Sequence, residues 1–173
     1  MYTKPTIIHY TIVWWLACRT TFVFPDICTK ATHFADFWCR GHGARDFPRD
    51  IPRNTTYLDV KNFVIPHLNG SHFEGLNQLI RLELNNLSLV SIAKNTFSGM
   101  RKLKYLSLSF NKIASIQRGV FNGLSKLEHL HLVNNNLTYV DDAILQGLSY
   151  LQAIEIRNNR LSSLSDNLFS ANP

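Results

Sequence analysis

The sequence predicts one solenoid domain of the α/β type, a right-handed, horseshoe-shaped superhelix. We expect a parallel β-sheet on its concave face and short irregular or 3-10 segments on its convex face. The first observation is a 24-residue motif that recurs five times without a gap. The second is that each copy repeats the same apolar positions, which neighbouring repeats bury against each other. Two of these columns are Leu58, Leu82, Leu106, Leu130, Ile154 and Val60, Leu84, Leu108, Leu132, Ile156, and a third, the phenylalanine column, is Phe73, Phe97, Phe121, Leu145, Phe169.

The N-terminal segment has the pattern of a targeting sequence. Residues 6–18 are apolar, and Lys4 is the only charged residue before Arg19. The run is shorter than the ~20 residues of a membrane-spanning helix and is typical of a signal peptide. We therefore predict a signal peptide at residues 1–20, with a retained signal anchor as the alternative. The mature chain is then expected to be extracellular and not to span a membrane.

The charge balance is mildly basic. The chain has 18 basic and 12 acidic residues, and removal of Lys4 and Arg19 leaves 16 against 12, a net charge of +4. The basic residues are scattered along the sequence rather than interleaved with aromatic residues on one strand. On this basis we expect no nucleic-acid partner.

Two of the three cysteines lie between the signal segment and the first repeat. Cys18 would leave with the signal peptide, so Cys28 and Cys39 remain. In a secreted chain such a pair predicts one disulfide, whereas two free thiols would fit a cytosolic protein and conflict with the signal segment. We interpret residues 21–54 as a cap that covers the apolar edge of the first repeat.

The repeat motif is L-x-x-L-x-L-x-x-N-x-L, and the cap carries Trp38-Cys39 followed by Pro48, Ile51 and Pro52. In both features the chain resembles extracellular animal leucine-rich repeat proteins, including the ectodomains of Toll-like receptors and variable lymphocyte receptors. The family's caps usually contain four cysteines, and this one contains two. The resemblance covers about residues 37–173 and is specific for the fold, but it says almost nothing about function.

The concave face is the expected binding surface. Strand side chains alternate, so the residues that flank the inward leucines point outward. They mix aromatic, cationic and anionic groups, which suits a polypeptide ligand. Tyr57, Tyr105 and Phe110 are the expected aromatic anchors. The full set of predicted contact residues is Tyr57, Asp59, Arg81, Glu83, Tyr105, Phe110, His129, His131, Glu155 and Arg157.

No metal, cofactor or catalytic site is predicted. His129, His131 and Glu155 are the residue types of a two-histidine, one-carboxylate site, but we interpret both histidines as ordinary surface residues. There is no phosphate-binding glycine loop, no G-x-S-x-G motif and no paired carboxylates in a plausible pocket. We therefore expect a protein that is not an enzyme.

Two further patterns concern asparagine. N-x-S/T sequons predict glycosylation at Asn54, Asn69, Asn86 and Asn136. Separately, Asn111, Asn135 and Asn159 occupy the ninth motif position, where the side chain is expected to point inward and bond to adjacent turns. Phe63 and Leu87 replace it in the first two repeats, which we expect to pack by apolar contact instead.

The predicted function is a secreted or ectodomain recognition module, part of a receptor, that binds a protein ligand of microbial or cell-surface origin on its concave face. The alternative is a structural component of the extracellular matrix or of cell adhesion. Residues 55–173 comprise the five repeats, the last one incomplete and without a C-terminal cap. We interpret this end as that of a fragment of a longer receptor, with coverage by a second copy as the alternative. For the isolated chain we expect self-association or aggregation through repeat five, which would leave the concave face free.

Overall fold

The computed structural model describes residues 27–30 and 35–170. The predicted signal peptide lies outside these residues. The strands are β1 (Ile27–Lys30), β2 (Asp36–Arg40), β3 (Tyr57–Lys61), β4 (His67–Leu68), β5 (Arg81–Asn85), β6 (Ser91–Ile92), β7 (Tyr105–Ser107), β8 (His129–His131) and β9 (Ala153–Glu155). Two 3-10 segments, Gly70–Phe73 and Asp142–Leu145, lie on the convex side of repeats one and four.

One long sheet runs through the stack in the order β1-β2-β3-β5-β7-β8-β9. From β2 onward every neighbouring pair is parallel, and each repeat pairs with the next at the same motif position. Leu58 lies opposite Leu82, Leu82 opposite Leu106, and Leu106 opposite Leu130. A second, two-stranded parallel sheet joins β4 and β6. The predicted solenoid with a parallel sheet is confirmed.

The apolar columns form a continuous core along the stack. Leu58, Leu82, Leu106 and Leu130 are fully buried. Nearer the convex side, the rings of Phe73 and Phe97 lie 5.8 Å apart and those of Phe97 and Phe121 6.3 Å apart, measured between centroids. Each ring therefore packs mainly on the repeats before and after it, as nearest-neighbour stacking requires.

Repeat five departs from this pattern at its convex turn. The 24-residue spacing places Phe169 in the same column as Phe73, Phe97 and Phe121, which are buried. The side chain of Phe169 is instead 47% exposed, and that of Leu168 is buried. This assignment was wrong by one residue. Leu164 is also exposed, and Ile154 and Ile156 are half-buried, so the outer side of this repeat shows apolar surface. Self-association through it remains a prediction.

The inward asparagines form the expected ladder. Asn111 accepts hydrogen bonds from the backbone N–H groups of Leu87 and Leu89 and donates to the carbonyl groups of Leu84 and Leu108. Asn135 and Asn159 make equivalent bonds one and two repeats later. The ladder therefore satisfies backbone groups that the turns leave unpaired inside the core.

Apolar packing replaces the ladder in the first two repeats. Phe63 and Leu87 are both buried, as expected from their place in the motif. The ring of Phe63 lies against the α-carbon of Gly41, where any larger residue would clash with it. The cap chain therefore approaches the first repeat closely at this point.

The cap is a hairpin that extends the concave sheet. β1 is antiparallel to β2, and the predicted Cys28–Cys39 disulfide joins two residues that face each other across this pair. β2 in turn pairs in parallel with β3, the first strand of the repeats. Phe47 packs edge-on against Phe73 with centroids 5.2 Å apart, so the cap also covers the first member of the phenylalanine column. Within residues 27–30 and 35–170 no helix has the length and apolar character needed to cross a bilayer.

Candidate ligand-binding face

The outward side chains of the long sheet lie in three columns. The strand register places Asp36, Tyr57, Arg81, Tyr105, His129 and Ala153 in the first column. It places Trp38, Asp59, Glu83, Ser107, His131 and Glu155 in the second. The third begins with Arg40, Lys61 and Asn85. Most of the predicted contact residues therefore lie together on one face.

Arg81 is held between two tyrosines. Its guanidinium carbon lies 3.8 Å from the ring centroid of Tyr105 and 5.4 Å from that of Tyr57. The same guanidinium forms a 2.8 Å ion pair with Glu83, which also accepts a 3.0 Å hydrogen bond from the Tyr57 hydroxyl. Cation–π contacts and a charge-assisted hydrogen bond act on one side chain. This fixes a long cationic residue that would otherwise sample many rotamers.

Asp59 and Glu83 are beneath this surface rather than on it. They are 3% and 7% exposed, because longer neighbouring side chains fold over them. Asp59 pairs with Arg40 at 2.8 Å and with Lys61 at 3.1 Å, and Lys61 reaches Glu83 at 3.3 Å. The prediction that both carboxylates are presented to a ligand is corrected, since they instead hold in place the half-buried Arg40 and Lys61 and the exposed Arg81.

Burial and these contacts shift the pKa values of the cluster. Burial, reinforced by the charge and hydrogen bond of Glu83, raises the pKa of Tyr57 to about 12. Burial also raises the pKa of Tyr105, which the charge of Arg81 partly offsets. Burial alone would raise the pKa of Glu83, but hydrogen bonds from Arg81 and Tyr57 and the charge of Lys61 lower it below its ordinary value. At neutral pH both tyrosines are therefore neutral and Glu83 is ionised.

The histidines continue the face toward the C-terminal repeats. The ring of His131 lies 4.7 Å from that of Tyr105, and the ring of His129 lies 6.2 Å from it. His131 is 3.4 Å from the carboxylate of Glu155, which also pairs with Arg157. Among the residues that the structure describes, no cluster of three histidine, cysteine, aspartate or glutamate side chains is arranged to hold a metal.

Phe110 occupies an unusual backbone position at the edge of the face. One position of the 24-residue motif, one to three residues after the end of the concave strand, has a positive φ in all five repeats, and asparagine occupies it at positions 62, 86, 134 and 158. Phe110 is the exception, with φ of 58° and a side chain that is 60% exposed. A bulky residue is disfavoured in the left-handed region, where asparagine is tolerated. Neither backbone energy nor burial accounts for phenylalanine here.

Phe110→Asn is therefore expected to stabilise the protein. The change relieves left-handed strain and removes an exposed aromatic ring, so the free energy of unfolding should rise by about 1 kcal/mol. Urea unfolding monitored by circular dichroism would measure it. The matched control is Asn134→Phe, which introduces the same conflict one repeat later and should lower stability. A loss of stability in Phe110→Asn would show that the ring makes favourable contacts.

The four sequons differ in their surroundings. Asn54 and Asn69 are exposed, and the side chain of Asn69 accepts bonds from the backbone and hydroxyl groups of Ser71. Asn86 follows β5 directly, and its amide nitrogen donates a 2.8 Å hydrogen bond to the Asn62 side chain. Asn136 is half-buried. Glycosylation at all four stays a prediction.

Two residues of this face were missed by the sequence analysis. Trp38 and Arg40 were interpreted only as part of the cap motif, but β2 joins the sheet and points both outward. Trp38 is 38% exposed and lies beside Asp59 in the second column. The available signal was strand alternation around the buried Cys39, which places its two neighbours on the opposite face.

The chain matches one family model and solved structures of other proteins. The sequence model described as leucine rich repeat matches residues 78–137 and 126–173, which together make up more than half of the chain. Among solved structures, the crystal structure of the TLR13–ssRNA13 complex matches with a TM-score of 0.73 and 29% sequence identity. The match covers 84% of this chain but only 20% of that one. A search of curated proteins found no match.

Proposed function

Because the chain belongs to the leucine-rich repeat family, we propose that its concave face binds a polypeptide ligand and that the chain is part of an extracellular receptor. Family and fold support a ligand-binding repeat module in general. The disulfide and the four sequons support an extracellular location. The proposal includes no catalytic role.

The observation that carries the proposal is the fixed position of Arg81 between Tyr57 and Tyr105. Tyrosine, tryptophan and arginine are the residues most often found at interface hot spots. Side chains that are already ordered lose little conformational entropy when a ligand binds. Phe110 and Trp38 would add apolar anchors at the edge and at the cap end of the same face.

A selection with displayed random peptides on the full chain would test the proposal, followed by titration of the best synthetic peptide. Tyr105→Ala and His131→Ala should each weaken binding about 30-fold, equivalent to about 2 kcal/mol for a hot-spot residue. The matched controls are Tyr139→Ala and Tyr150→Ala, because both tyrosines are 63% exposed and lie off the concave face. Unchanged affinity in the two concave-face variants would exclude this surface as the peptide site.

A second candidate ligand is single-stranded nucleic acid, since the TLR13 structure is a complex with ssRNA. We expected no nucleic-acid partner because the basic residues are scattered along the sequence, and this expectation does not fit the RNA-bound state of the TLR13 structure. In the folded chain the cations Arg40, Lys61 and Arg81 alternate on one face with the aromatic residues Trp38, Tyr57 and Tyr105. Proteins that bind single-stranded nucleic acid combine cations and aromatic side chains in this way. These cations are already paired with Asp59 and Glu83, which favours the polypeptide.

Titration of a labelled single-stranded RNA oligonucleotide at two salt concentrations separates the two ligands. If the face binds RNA, affinity should fall steeply with salt and be lost in Arg81→Ala. Binding that is weak at physiological salt and insensitive to this substitution would exclude RNA as the concave-face ligand.

A further inference from the structure

Several basic residues lie at the edge of the solenoid where the strands of the long sheet begin. Arg101, Lys102 and Lys104 lie just before β7, and Lys126 lies one repeat later, before β8. We call these four residues the basic flank. All four are exposed. In the linear sequence they looked like part of a scattered set, but the 24-residue period stacks them in adjacent repeats.

Side-chain contacts between repeats show that the columns of this flank are aligned. The Lys102 ammonium donates a 2.6 Å hydrogen bond to the Gln78 side chain, one repeat earlier. Lys104 forms a 2.7 Å ion pair with Glu128, one repeat later. Residues one repeat apart are therefore within contact distance, and the cations form one continuous surface.

The basic flank differs from the concave face in its charge balance. On the concave face, Arg40, Lys61 and Arg81 are each paired with a buried carboxylate. On the flank, the Lys104–Glu128 pair is the only ion pair formed by these four residues within the described chain. Four cations and one carboxylate leave a local charge of +3. An anionic polymer would therefore meet more uncompensated charge here than on the concave face.

We propose that the basic flank is a second binding surface, for a sulfated glycosaminoglycan. Sulfate groups accept charge-assisted hydrogen bonds from lysine and arginine, and this binding needs no apolar pocket. Single-stranded nucleic acid would need aromatic side chains for base stacking, and Tyr150 is the single aromatic residue in the described positions that stack with Lys102 and Lys126. The sequons at Asn69, Asn86 and Asn136 lie outside these columns, whereas Asn54 is in the column of Lys102 and Lys126, two repeats before Lys102, so a glycan at Asn54 would lie next to the flank.

A heparin oligosaccharide is the probe, titrated against the full chain at physiological salt. The test variant is Arg101→Gln, Lys102→Gln and Lys126→Gln combined, which keeps the Lys104–Glu128 pair. The matched control is Lys94→Gln, Lys112→Gln and Arg160→Gln combined, since these residues are exposed, lie elsewhere and carry the same total charge. The test variant should lose about tenfold or more in affinity and show a weaker salt dependence, and the control should change much less.

Three outcomes would overturn the inference. One is no measurable heparin binding by the unaltered chain at physiological salt. Another is an equal loss in both triple variants, which would show attraction by overall charge alone. The third is tighter binding of a single-stranded RNA oligonucleotide than of heparin, lost in the test variant, which would assign the flank to nucleic acid. The peptide titrations on the concave face are independent, so none of these results bears on the proposed polypeptide ligand, and the third would assign RNA to the flank instead of the concave face. Matching thermal unfolding of both variants checks that they are folded.

Discussion

Replacing Asn111 with alanine is expected to lower the free energy of unfolding by about 3–5 kcal/mol, because several buried backbone groups lose a hydrogen bond at once and each costs about 1–3 kcal/mol. The side chain accepts hydrogen bonds from the N–H groups of Leu87 and Leu89. It donates hydrogen bonds to the carbonyl groups of Leu84 and Leu108, so it joins two adjacent repeats. Its loss would leave all four groups without this partner in the buried core. Urea unfolding measured by circular dichroism would give the value.

Asn159→Ala is the matched control for this prediction. Asn159 makes the same type of bonds, to the N–H group of Leu137 and the carbonyl groups of Leu132 and Ile156, but it is only half-buried. Water can replace some of the hydrogen bonds that the Asn159 side chain makes, so its removal should lower the free energy of unfolding by less. Equal costs for the two substitutions would mean that burial does not set the strength of the ladder.

Removing the Cys28–Cys39 disulfide is expected to cost about 3 kcal/mol in the chain-entropy model for a loop of this length. The two cysteines are separated by 11 positions, and Cys39 is fully buried next to the first repeat. The double substitution Cys28→Ala and Cys39→Ala avoids placing a hydroxyl group in the core. Its unfolding in urea should be compared with that of the unaltered chain, with and without reductant.

The bond should first be verified by mass spectrometry of unreduced peptides from the secreted protein. Reductant should destabilise the unaltered chain and leave the double variant unchanged. Two free thiols that react with an alkylating reagent would contradict the disulfide and weaken the argument for an extracellular location.

Most of the fold could be predicted because stacking repeats obey a strict period. The 24-residue spacing gave the strand register, the fully buried leucines and the inward asparagines, since each depends only on contacts one repeat away. Repeat five was less predictable. The choice between Leu168 and Phe169 as the buried residue depends on the geometry of the turn, which the motif spacing does not fix.

The candidate site was predicted in position more than in detail. Strand alternation shows that Asp59 and Glu83 leave the sheet on the concave side, but not that Arg40 and Lys61 cover Asp59 and Arg81 pairs with Glu83. That arrangement depends on side-chain length and on cross-strand pairing with the cap. Trp38 was missed for the related reason that the motif did not show β2 to be part of the sheet.

Because β1 runs in the opposite direction to the other strands of the long sheet, the two ends of the stack are not equivalent. Each later strand of the long sheet is parallel to the one before, whereas β1 is antiparallel to β2. Antiparallel and parallel ladders space their hydrogen bonds differently, so the outer edge of β1 does not offer the template that one repeat offers the next. A duplicated 24-residue unit can therefore be inserted among the repeats, or added after them, in unchanged register. Growth by duplication would be one-directional, with the cap as a fixed origin from which concave surface is added.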